Sequence, residues 1–131
     1  MNFTEREKDF LNEQQVARLA TVSEKGWPQI TPVIFAFDGK DFYIAIDYGS
    51  KKLENIKKNN KVGLTIDVFA RQPKSIIMQG FADIFERGEE FKHGYKILYD
   101  KFAYYRANPF KEGESPILRI RPLRKKNAGL R

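Results

Sequence analysis

The sequence contains no cysteine, one histidine, one tryptophan and no apolar run of the length that a membrane-spanning helix needs. Each absence excludes a class. Without thiols there is neither a disulfide framework nor a thiolate metal site, and one isolated histidine cannot build a metal centre of ordinary ligand spacing. No nucleophile and base stand in a pattern that would suggest hydrolysis. The opening residues, MNFTEREKDF, are charged from Glu5 onward, unlike a secretory signal. Together these point to a cytoplasmic protein that neither spans a membrane nor relies on a metal.

What is present is a chain of 131 residues, the length of one domain, with 11 Phe and 6 Tyr to fill a core or an interface between copies. Net charge is +7, from 24 Lys and Arg against 17 Asp and Glu. Six of the basic residues, Arg119, Arg121, Arg124, Lys125, Lys126 and Arg131, cluster at the C-terminus, and the other 18 nearly balance the acids. The excess therefore reads as a basic tail over 124–131, a solubilising end that folding does not need. A nucleic-acid-binding small barrel would use this tail with exposed aromatics for stacking. Most aromatics instead fall on strand or helix faces that look buried, which disfavours a nucleic-acid partner.

Thr4 and Glu7 fit a capping box, so a short helix is predicted from there to about Gln15. Residues 17–23 and 27–37 read as paired strands around the turn Glu24-Lys25-Gly26, with Trp27 a core or interface anchor. Asp38-Gly39 signals a two-residue hairpin with positive φ at both positions, leading into a strand from Phe42. Two further strands, 61–70 and 74–86, flank the turn Arg71-Gln72-Pro73, and Gly80 inside the second marks a bulge or a close backbone approach. A helix is predicted over 87–105, from Phe91, Tyr95, Leu98 and Phe102 at helical spacing, ended by Asn108-Pro109. A last strand covers 117–121. Six mostly antiparallel strands with short helices between them favour a mainly β fold, a β-barrel with peripheral helices.

The most informative stretch is 42–67, a strand, a lysine-rich helix and a second strand. Ser50 stands as an N-cap, Leu53 and Ile56 share one face, and Lys51 and Lys52 crowd the first turn. Cations are unfavourable at that end of the helix dipole unless an anion uses them together with the free N–H groups. The alternative is a solvated basic face.

Four segments in this order resemble the pyridoxamine 5'-phosphate oxidase-like superfamily of flavin-binding split barrels. They are Arg18-Leu19-Ala20-Thr21-Val22 with Gly26 and Pro28; Pro32-Val33-Ile34-Phe35; Tyr43 to Asp47 followed by Ser50-Lys51-Lys52; and Leu53-Glu54-Asn55-Ile56 through Val62. The Tyr43 strand and the Leu53 helix look most similar to the branch assigned to a deazaflavin coenzyme, while Ser50 with Lys52 also looks like the FMN-binding oxidases.

The resemblance implies a six-stranded antiparallel split barrel of the FMN-binding type, forming a homodimer with cofactor sites at the interface. It implies an oxidoreductase that passes hydride or electrons between FMN, or a deazaflavin coenzyme, and a small organic substrate. The protein then supplies position and electrostatics, and no catalytic side chain is required. Carried over residue by residue, Ser50, Lys51 and Lys52 would hold the cofactor phosphate. Thr31, Pro32, Val33, Ile34 and Phe35 would meet the ring and ribityl chain, Ala45, Ile46 and Asp47 would form the adjacent wall, and Ser75 would reach in from the fifth strand. His93 is a candidate haem ligand, as in haem-handling relatives. A flavin carrier or sensor without turnover is the competing reading.

Overall fold

All seven strands of the computed structural model, which describes residues 1–131, join one antiparallel sheet. β1 (Val16–Val22), β2 (Pro28–Ile34), β3 (Ala36–Phe37), β4 (Phe42–Ala45), β5 (Lys61–Phe69), β6 (Pro73–Phe85) and β7 (Ile117–Ala128) lie in the order β2-β1-β5-β6-β7-β4-β3. The two edge strands, β2 and β3, are separated in the chain by Phe35 alone, so the sheet curls until its edges meet. This is the antiparallel split barrel expected from the sequence, with seven strands in place of six. The additional strand arises because the apolar run 27–37 pairs with β1 up to Ile34 and with β4 from Ala36 on. At the changeover Phe35 is fully buried and its N–H goes to Gln15 O at 3.1 Å.

Alternation of period two sends Leu19, Leu64, Ile66, Ile76, Met78 and Ile120 into the barrel, where they meet Phe35, Phe37 and Phe42. Burying each such side chain contributes about 1.5–3 kcal/mol. A smaller cluster lies outside the barrel, between β3, β4 and β7 and the helices α3 (Glu89–Lys101) and α4 (Ala103–Ala107). The single helix expected over 87–105 breaks at Phe102, which is extended (φ −117°, ψ 118°) and buried. Lys101 beside it donates to Gln14 O at 2.5 Å, with its ammonium 4.1 Å from the centre of the Phe35 ring. Gly94 lets α3 approach: a Cβ there would lie 2.7 Å from Tyr43 Cδ1.

The Thr4–Glu7 capping box starts α1 (Glu5–Glu13) as expected, with both reciprocal bonds present. The C-terminal tail departs from expectation. β7 continues to Ala128, paired with β6, and Leu130 is buried in the barrel cluster with Phe3 and Phe10. Lys125 and Asn127 also bond Glu7. Lys125 is thus paired with a buried carboxylate, and the basic segment is part of the folded domain.

Gly80 sits at a β-bulge: pairing shifts between Gln79 and Gly80, leaving Leu123 of β7 without an opposite residue. A Cβ on Gly80 would lie 2.2 Å from Arg121 O, so only glycine allows the strands to approach here. The Asp38-Gly39 hairpin also differs from expectation. Only Gly39 has positive φ (96°), because the loop has four residues and Asp38 Oδ1 closes it by accepting from Lys40 N (2.9 Å) and Asp41 N (2.7 Å).

Candidate functional site

α2 (Lys51–Lys58) follows β4 through a turn closed by Ser50 N donating to Asp47 O at 3.2 Å. Ser50 caps it: Oγ accepts from Leu53 N at 3.4 Å and donates to Asp47 O at 2.8 Å. Leu53 and Ile56 are buried, and so is Asn55, whose Nδ2 donates to Thr21 Oγ1 at 3.0 Å. A buried amide with this bond fixes the helix's rotation over β1.

Next to this N-terminus is a cavity of about 400 Å³. One wall is the strand pair, with Pro32, Val33 and Ile34 from β2 and Ala45, Ile46 and Asp47 from β4 and its continuation; Lys52 adds an ammonium. Seven of the residues singled out in the sequence therefore share one cavity. Across from them, α4 and the loop behind it contribute Tyr104, Tyr105, Asn108, Phe110 and Ser115.

The remaining candidates fall elsewhere. Lys51 points along α2, 3.6 Å from Glu54, outside the cavity lining. Phe35 turns its ring into the barrel core. Thr31 Oγ1 is buried with no hydrogen-bond partner, one residue before cavity-lining Pro32. Ser75 lies on β6 between Asp67 and Ala128, on the face that carries Ile77 and Gln79, away from this cavity. His93 stands on the exposed side of α3 with Nε2 2.9 Å from Asp38 Oδ2, and lines neither this cavity nor the groove described below.

Electrostatics separate the two walls. Burial, helped by the neighbouring Tyr104 and the Asp47 charge, pushes the Tyr105 hydroxyl up to about 12, so it stays protonated. Burial lowers the Lys101 ammonium, just behind α4, to about 8. Away from the cavity, Arg119 and Arg121 of β7 both bond Asp83, which neutralises part of the basic strand.

Sequence reasoning missed the α4 wall. Its available signal was Asn108-Pro109, read only as a helix stop, and Asn108 Nδ2 does cap α4 by donating to Tyr104 O at 3.0 Å.

A second, larger groove of about 630 Å³ opens on the outer face of the sheet around the bulge, with Ala20, Gly63 and Gly80 among the small residues lining it and Lys61, Gln79 and Arg124 among the polar ones. Trp27, expected to be an anchor, is 74% exposed near one end of this face, and Ile30, Ile77 and Leu123 are exposed along it.

With strand order, cavity and helix N-terminus in place, the class is that of the antiparallel split barrels. The chain belongs to the pyridoxamine 5'-phosphate oxidase family, whose profile matches residues 3–124. It is similar to the 5a,11a-dehydrotetracycline/5a,11a-dehydrooxytetracycline reductase of Streptomyces rimosus, 35% identical over 96 residues that cover 67% of this chain and 68% of that one. In structure it resembles HutZ, the haem storage protein of Vibrio cholerae (TM-score 0.84, 18% identity, 99% and 97% of the two chains). It also resembles HupZ of Group A Streptococcus (TM-score 0.75, 24% identity, 95% and 93%). At these identities the two structures speak for the fold alone.

Proposed function

We propose that this protein is an oxidoreductase that holds a phosphate-bearing flavin, FMN or alternatively a deazaflavin coenzyme, and acts on a small organic molecule. The observation that carries the reading is the cavity itself, in which an apolar two-strand wall meets the Lys52 ammonium beside the N-terminus of α2. The donor set suits a phosphate: a cation and first-turn N–H groups that the helix cannot satisfy internally.

In this reading Lys52 and the first turn of α2 hold the phosphate, with Ser50 fixing that turn. Pro32–Ile34 and Ala45–Asp47 exclude water from one side of the ring. When bound, the flavin supplies hydride or electron transfer, so the chain's work is to bind, orient and keep the site dry. The Streptomyces rimosus reductase, a relative at 35% identity, supports redox chemistry over simple carriage. Haem binding, suggested by HutZ, has less support, because the chain's one histidine stands outside the cavity and faces Asp38.

The assembly proposed is a homodimer. The outer face of the sheet exposes Ile30 (67%), Ile77 and Leu123, with Trp27 near its end and the bulge groove among them. An apolar face of this kind suits an isologous contact with a second copy. Ser75 lies on the same face, so it would reach a cofactor only in the partner's cavity. Mass spectrometry of the small molecule released on denaturing native protein tests the cofactor, with light scattering on the same sample for the assembly. FMN or deazaflavin from a dimer is the expected result. A folded preparation that releases neither and takes up neither on titration would remove the oxidoreductase reading.

A further inference from the structure

The α4 wall of the cavity differs in chemistry from the strand wall, and nothing in the cofactor reading uses it. Tyr104, Tyr105 and Phe110 give it three aromatic rings. They are held in place: Arg106 Nη1 donates to Tyr99 O (2.6 Å) and Asp100 O (2.9 Å), which straps α4 to the end of α3. Phe110 packs edge-on against Tyr95 at 4.7 Å and against Tyr105 at 5.9 Å between ring centres. A wall built this way is preorganised, so a ligand meets it without first ordering a loop.

Two features of this wall are left without a partner. Tyr104 is 62% exposed on the cavity rim, touched in the chain by an edge contact with Tyr105 at 5.3 Å, so its faces are open for stacking. Tyr105 is buried, lines the cavity and carries a hydroxyl that no group of the chain accepts from. Two other donors of the wall are taken: Ser115 Oγ donates to Ile46 O at 2.7 Å and Asn108 Nδ2 to Tyr104 O at 3.0 Å. No cation lies on this wall, which makes an anionic ligand a poor match there.

Resting on the flavin reading, we infer that the α4 wall is the site of the second redox partner, a planar conjugated carbonyl compound such as a quinone or enone. Its ring stacks on Tyr104, and its carbonyl oxygen accepts a hydrogen bond from the Tyr105 hydroxyl. In the step this wall would serve, the conjugated carbon takes a hydride from reduced flavin, recharged by a separate two-electron donor of the nicotinamide class, while the π electrons shift onto the carbonyl oxygen. Solvent supplies the proton that oxygen takes up, and the Tyr105 hydroxyl, which stays protonated, stabilises the growing charge by its hydrogen bond.

Menadione serves as the probe, titrated by calorimetry into FMN-loaded protein, with FMN affinity measured separately by fluorescence. Tyr104→Ala and Tyr105→Phe should each weaken menadione binding tenfold or more, leave FMN affinity within twofold of wild type and leave the melting temperature unchanged. Menadione affinity unchanged in both variants, or no menadione binding by the FMN-loaded wild type, overturns the inference while the flavin reading stands. A parallel loss of FMN affinity overturns it too, since the rings would then serve the flavin. If the wild type takes up no flavin, the functional reading falls first and this inference with it.

Discussion

Lys125 Nζ donates to both carboxylate oxygens of Glu7, at 2.8 and 3.1 Å, joining the first helix to the last strand across 118 positions of sequence. Glu7 is fully buried and also accepts from Asn127 Nδ2 (2.8 Å) and Thr4 N (2.9 Å). Removing one partner of such a pair leaves an uncompensated buried charge. Lys125→Met is therefore expected to destabilise the fold by about 3–5 kcal/mol in urea unfolding. Glu7→Leu combined with Lys125→Met should recover much of that loss. A chain ending at Leu123, which lacks Lys125, Asn127 and Leu130, should fail to reach native stability.

The same carboxyl gives a sign for acid unfolding. Burial alone would raise it, but the bonds from Lys125, Asn127 and Thr4 and the Lys125 charge together hold it below its ordinary 4.5. A depressed carboxylate contributes stability above the unfolded value that is lost as pH falls through the folded one. Thermal midpoints should thus drop below about pH 4.5 more steeply in wild type than in Glu7→Gln. Identical slopes would show that this group is not part of the acid transition.

Lys51 and Lys52 should separate in binding experiments. Lys52 lines the cavity, whereas Lys51 lies against Glu54 outside it. Loss of one charge-assisted contact is worth about 1.5–3 kcal/mol, so Lys52→Ala should weaken FMN binding roughly tenfold or more in a fluorescence titration. Lys51→Ala should change it little. Equal effects would return the phosphate to both lysines.

Lys101 predicts a trend at the opposite end of the pH scale. Burial lowers its folded value to about 8 from 10.5, so between these limits the unfolded chain binds more protons and stability rises with pH. Lys101→Met should flatten this rise in denaturation curves measured from pH 8 to 10.5. An unaltered slope would assign it to other groups.

Gly94→Ala, conservative on helix propensity, should be destabilising by about 1–3 kcal/mol, because the new methyl would meet Tyr43 Cδ1 at 2.7 Å and Ile117 Cγ2 at 2.9 Å. Loss of near-ultraviolet tyrosine dichroism with retained helix content would be the accompanying signature. A neutral effect would mean that α3 yields easily there.

Local signals read well from the sequence, and long-range ones did not. Thr4 with Glu7, and Ser50 before Lys51, are caps whose partners lie three residues away, so residue type and spacing suffice. The strand wall was legible because Pro32–Ile34 and Ala45–Asp47 sit in segments that resemble the family. The α4 wall was not, because its place depends on the break at Phe102, and that break follows from burying Phe102 against the barrel. Residues 124–131 look solvated in isolation. Their charges become structural only once β6 and Glu7 are beside them, which no periodicity in the tail announces.

The unpaired Leu123 acts as a parity shift for everything downstream. Strand side chains alternate, so one extra residue exchanges the two faces of the remaining strand. With it, Lys125 lies opposite Met78 and Asn127 opposite Ile76, both pointing toward the barrel interior where Glu7 waits. In an uninterrupted ladder continuing from Gly80 and Pro122, Arg124 and Lys126 would take those inner places and Lys125 would face outward beside Ile77. Deleting Leu123 would therefore close the bulge yet keep Lys125 opposite Met78 and Asn127 opposite Ile76, so Glu7 would retain its partners. Inserting one residue after Leu123 would instead bring Arg124 and Lys126 to Glu7 and turn Lys125 and Asn127 out to solvent.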